Sequence, residues 1–198
     1  MPISNHARTL VLTASLSLLS LYVLPLWRID LLAPQYPEGL GMVIRANTIV
    51  GRSPNDLQTI NDLNHYIGMK TIDPGAVPEL RIMPYAIALI VLLGVGAALS
   101  RKRWAITAWL GLFAVAGLAG MVQFWRWGYD YGHNLAADAI IKVPGMAYQP
   151  PLIGTKQLLN FTASSWPAQG GFVAGAAFIA GAVAVWLSGH EARVAARS

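Results

Sequence analysis

Two histidines and four methionines are the residues best suited to chemistry in this chain of 198 amino acids. His65 and Met69 stand four apart in "NDLNHYIGMK", a spacing that puts both on one face of a helix. His133 lies in "YDYGHNL" and Met146 in "VPGMAYQPP", both in a second polar stretch far along the chain. Imidazole with thioether and no thiolate is a copper-type ligand set, because thioether favours Cu(I) and imidazole serves either oxidation state. His65, Met69, His133 and Met146 therefore form a candidate two-loop copper site, with Met42 and Met83 as relay thioethers. The competing reading is structural. A histidine near a helix end bonds backbone, methionine fills apolar gaps, and "IGMK" reads equally as a helix C-terminus with Gly68 as the stop. No tight spacing such as H-x-H or M-x-x-M narrows the choice.

Other chemistry finds less support. The chain has no cysteine, which removes thiolate metal sites and iron–sulfur clusters. It lacks a G-x-S-x-G elbow, an H-E-x-x-H helix and a phosphate-cradling glycine loop. Asp130 and His133 are close enough in sequence for an acid–base pair, and Arg28 and Arg126 read as interface anchors or as partners of Asp30 and Asp130. His6 and His190 sit in the chain's two tails. The expectation is a protein that is not an enzyme.

The elements that must position these residues are membrane helices. Hydrophobic residues make up 55%, mean hydropathy is +0.49, and charged residues are only 12%, about half the ~25% of a soluble domain. The apolar surplus falls into four blocks free of Asp, Glu, Lys, Arg and His: residues 9–26, 84–100, 104–124 and 171–187. Each is long enough to cross a hydrocarbon core. The first has a basic residue ahead of it but ends in "LPLWRID", without a small-residue cleavage site, so it reads as a retained anchor. The predicted fold is an all-α membrane protein of four transmembrane helices, with two long ordered periplasmic loops, 27–83 and 126–170, packed together as a small cap.

Charge supplies the orientation. Arg8, Arg101, Lys102, Arg103, Arg193 and Arg197 face a single acid, Glu191, on one side, while the loops on the other side are neutral. Short basic segments stay inside, so both termini are expected in the cytoplasm of a bacterial inner membrane. The basic balance then reflects topology and not nucleic-acid binding. Tryptophans at the block ends, among them Trp27, Trp125, Trp166, Trp104 and Trp186, fit interfacial anchoring. No span holds an ionisable residue, which argues against proton relays, transport alone, and haem between helices.

Within the first loop, "SPNDLQTINDLNHYIGMK" reads as a helix capped at Ser53 or Asn55, with an apolar stripe of Leu57, Ile60, Leu63 and Ile67. "GMVIRANTIVG" reads as a short strand. "WRID" and "WRWGYD", each leaving an apolar block, hint at a duplicated two-span hairpin. Gly171 with Gly175, Gly94 and Gly117 supply small surfaces for helix packing.

The phrases "APQYPEGLGM", "INDLNHYIGMK", "PELRIMPY", "YDYGHNL" and "KVPGMAYQPPLIG" together resemble a family of four-span bacterial inner-membrane proteins found in gene neighbourhoods for nitrous oxide reductase maturation and copper handling. The resemblance covers both loops. It implies a setting and carries no site residues over. With it, the expected function is a non-enzymatic accessory protein that handles or delivers copper at the periplasmic face for a copper respiratory enzyme. Two alternatives stand beside it: a docking subunit of a membrane respiratory complex, and a lipid- or quinone-binding protein at the outer leaflet.

Overall fold

The computed structural model describes residues 3–158 and 160–195, with side chains through residue 190. A five-stranded antiparallel sheet caps one end of a helical bundle: β1 Trp27–Ala33, β2 Tyr36–Ile44, β3 Ile49–Gly51, β4 Gly154–Leu158 and β5 Phe161–Pro167, in the order β3-β2-β1-β5-β4. The two long loops therefore build a sheet, and the all-α expectation is corrected. The central strand shows why. In "WRIDLLA" the residues alternate, sending Trp27, Ile29 and Leu31 to the core side and Arg28 and Asp30 to the other. Its partner β5 lies far away in sequence, Trp27 opposite Pro167 and Ile29 opposite Ser165. The stretch expected as a single strand instead spans a turn, with β2 and β3 pairing Met42 to Gly51 and Ile44 to Ile49.

Five helices complete the chain: α1 Asn5–Ser17, α2 Asp56–Ile67, α3 Pro78–Ser100, α4 Arg103–His133 and α5 Gln169–Ala195. Three of them, α3, α4 and residues Gln169–His190 of α5, are long and apolar enough to cross a membrane. The four-span expectation fails at the first block. There the chain makes a 13-residue helix, tightens into a 3-10 turn over Leu18–Tyr22, and then extends into β1. At 1.5 Å per residue α1 is about 20 Å long, short of a hydrocarbon core of roughly 30 Å. Its apolar residues line the bundle interior: Ala7, Val11, Ala14 and Leu18 are buried.

Three helices approach closely at one glycine. A Cβ on Gly94 of α3 would lie 2.0 Å from Ser15 Oγ and 2.7 Å from Trp109 Nε1, so α1, α3 and α4 meet there. Trp109 donates its indole N–H to the Ile90 carbonyl at 2.9 Å. Gly117 and Gly175 have no such neighbours, and a Cβ on Gly171 would meet the Leu26 carbonyl and Pro167 and no other helix, so among these glycines the expected helix packing holds at Gly94.

Two of these helices, α3 and α4, also reach into the cap. With 31 residues α4 is about 46 Å long, longer than a hydrocarbon core of roughly 30 Å, and its last third extends on the sheet side. Phe124, Trp127 and Tyr131 of that extension, with Leu80 at the start of α3, join Ile29, Leu40, Met42 and Ile49 of the sheet and Ile60 of α2 in one cap core. "WRWGYD" is thus helical while "WRID" is a strand, and the suspected duplication has no counterpart in the fold. The cap-side end of α5 is bonded to the chain entering β1, Gly170 N–H to the Pro25 carbonyl at 2.8 Å. At the opposite end the Ile3 N–H donates to the Arg101 carbonyl, tying the start of α1 to the α3–α4 turn.

Candidate functional site

The predicted helix over the first loop exists, and its two ends explain how it is held. At its start Asn55 makes no side-chain cap, and the first helical residue, Asp56, anchors the helix instead. The buried Asp56 carboxylate accepts the Ser53 N–H at 3.1 Å and the Gly41 N–H at 2.9 Å, which fastens α2 to β2. Ile60 and Ile67 are buried, with Leu57 and Leu63 packed at the edge of the cap core, as the stripe required. At its end Gly68 adopts φ 78°, the Met69 N–H reaches the Asn64 carbonyl at 2.8 Å, and the Gly68 N–H reaches that of His65 at 3.3 Å. This is a Schellman stop, so "IGMK" is a helix C-terminus in geometry.

That C-terminus is docked on the end of α4. The Gly68 carbonyl accepts the Ala136 N–H at 2.8 Å, and the Tyr66 carbonyl accepts that of Ile141 at 2.9 Å. Lys70 Nζ lies 2.6 Å from Asp130 Oδ2, and the Tyr131 hydroxyl donates to the Thr71 carbonyl at 3.3 Å. A third segment arrives where the Tyr148 N–H donates to the Gly132 carbonyl at 2.9 Å. Only glycine fits there, because a Cβ on Gly132 would sit 2.4 Å from the Gln149 nitrogen. The backbone segments that carry His65, Met69, His133 and Met146 therefore converge at one place, the cap-side end of α4.

The side chains are disposed less simply. His65 is exposed and makes an edge contact with Tyr66, ring centroids 6.2 Å apart. His133 is exposed as well; its ring stacks on Tyr129 at 4.0 Å and its Nδ1 lies 3.0 Å from the Tyr129 carbonyl. Met69 and Met146 are half-buried. Met42 is buried in the cap core opposite Ile29, and Met83 packs where the cap core and the bundle core join. Among the described residues no three His, Asp or Glu side chains converge, so a metal here would rest on imidazole and thioether.

Sequence spacing misassigned the charged partners. Asp130 pairs with Lys70, not with Arg126 or His133, while Arg126 reaches Gln123 at 3.4 Å. The Lys70 ammonium, and then the hydrogen bond from Asn134, hold the Asp130 carboxyl below the usual aspartate range. Asp30 has Arg28 at 3.7 Å, as expected, and also Arg52 at 3.0 Å, which reaches across Gly41. Beside the cap-side part of α4, the crevice lined by Phe124, Trp125, Gly128, Gln149 and Leu152 encloses about 10 Å³, room for one water and not for a quinone ring. The chain matches no protein-family model and no curated protein.

Proposed function

We propose that this chain is a non-enzymatic accessory protein of the bacterial inner membrane whose cap docks a protein partner of a respiratory or copper-maturation system. The basic end of the bundle lies in the cytoplasm and the cap stands outside. The observation that carries this reading is an exposed apolar tip. Tyr66 is 49% exposed, Ile140 67%, Ile141 47% and Val143 40%, and the Ile141–Tyr66 hydrogen bond holds them on the rigid end of α2. Grouped exposed apolar residues of this kind mark interaction sites. Lipid does not account for them. The tip adjoins the end of α4 at His133, eight residues or about 12 Å beyond the interfacial Trp125, past the headgroup layer. The test is co-purification from native membranes, wild type beside Ile140→Glu with Val143→Glu. Loss of one defined respiratory or copper-system partner, with unchanged membrane insertion and melting, supports docking. Equal recovery from both proteins sinks it.

A second reading, copper handling, is favoured by the convergence at α4. His133 commits Nδ1 to the Tyr129 carbonyl, which leaves Nε2 as the free nitrogen, the arrangement that orients ligating imidazoles. His65, Met69 and Met146 are the other ligands proposed. Competition titration with Cu(I), wild type beside His133→Ala and Met69→Ala, decides. Binding no tighter than micromolar, or no loss in either variant, removes copper from the account.

A further inference from the structure

The end of the bundle opposite the cap carries a feature that the docking reading does not use. An open groove of about 650 Å³ runs between α1 and α5, lined by Asn5, His6, Thr9, Leu10 and Leu187. Its polar residues lie in the first turn and a half of α1, and its apolar ones are the next residue of α1, Leu10, and Leu187 of α5. Exposed Trp104 and Trp186, 68% and 65% exposed, mark this end as an interface level. The α3–α4 turn touches the helices on both sides of the groove. Arg101 accepts the Ile3 N–H just before α1, and the Arg103 guanidinium packs against Gly189, two residues beyond Leu187. Among the described residues none of Arg8, Arg101, Lys102 and Arg103 makes an ion pair; every ion pair found lies in the cap.

A basic turn tied to both flanking helices, beside a groove lined by polar and apolar residues, selects a ligand with an anionic head and a hydrocarbon tail. We propose that this groove binds one anionic phospholipid of the leaflet at the basic end. Its phosphate would sit by Asn5, His6 and the 101–103 turn, and an acyl chain would lie along Leu10 and Leu187. A free anion would leave the apolar floor uncovered, and a zwitterionic lipid would leave the cations uncompensated.

The full-length protein in nanodiscs of equal phosphatidylglycerol and phosphatidylcholine, released for native mass spectrometry, tests this. One phosphatidylglycerol should be retained, enriched at least about fivefold over phosphatidylcholine, since each interfacial cation is worth roughly that factor. Arg101→Gln with Lys102→Gln should return retention to the bulk ratio. Thr9→Phe, which fills the groove from an exposed position, should abolish retention of either lipid without changing the charge. Equal retention of both lipids, no retention, or a melting shift that inorganic phosphate reproduces would each overturn the proposal. So would undiminished retention in Thr9→Phe.

Discussion

The Ala136 N–H donates to the Gly68 carbonyl at 2.8 Å, so the end of α2 and the segment leaving α4 are one structural unit. Gly68 permits this because its φ of 78° is the left-handed region and because nothing larger fits. A Cβ there would lie 2.8 Å from that of Ala139 and 3.0 Å from the Ala136 nitrogen. Gly68→Ala should therefore cost the cap about 1–3 kcal/mol. Hydrogen exchange at Ala136 and Ile141 should rise first, before the bundle responds.

Asp56 offers a sharper contrast. Both of its backbone donors, Gly41 and Ser53, point at the same oxygen, Oδ2. Asp56→Asn keeps one oxygen that can accept both, whereas Asp56→Ala leaves two donors unpaired at a buried position, a loss of about 1–3 kcal/mol. Melting of the two variants should separate in that order, and equal melting would refute the anchoring role.

In the bundle, two glycines of similar appearance should behave oppositely. Gly94→Ala forces Ser15 and Trp109 apart and should destabilise by about 1–3 kcal/mol. Gly117→Ala meets nothing within 4 Å and should be neutral or stabilising by up to about 1 kcal/mol. Thermal unfolding in one detergent compares them directly.

The Lys70–Asp130 contact sets a pH signature. Asp130 titrates below its ordinary value when folded, so its contribution is complete above the ordinary aspartate pKa and is lost as pH falls through the lowered one. Hydrogen exchange at the α2–α4 junction should therefore differ between wild type and Asp130→Asn near neutral pH and converge in acid. A difference that persists in strong acid would show that the tie is not electrostatic.

Much of this protein follows from local signals. Hydropathy over α3, α4 and α5, the stripe of α2 and the stop at Gly68 are written within a turn or a helix length, so they are legible one residue at a time. So is the asymmetry of the basic residues about the spans. The candidate ligands were also visible as residue types. Their geometry was not legible: the backbone bonds Gly68–Ala136 and Tyr148–Gly132 join residues 68 and 16 apart in sequence.

What only the tertiary structure decided has one physical cause. Strand pairing and ion pairing are set by distance in space. Trp27 finds Pro167 across the middle of a sheet because the chain entering β1 and the start of α5 are already bonded to each other, Ala168 N–H to the Leu26 carbonyl, and no pattern within "WRIDLLA" names that partner. Asp130 takes Lys70 and not the nearer Arg126, because α2 docks its end there. The first apolar block had the composition of a span, yet its residues face α3 and α5 and its last turn tightens to enter β1. Composition determined that the block would be buried; the tertiary fold decided that much of it would be buried in protein.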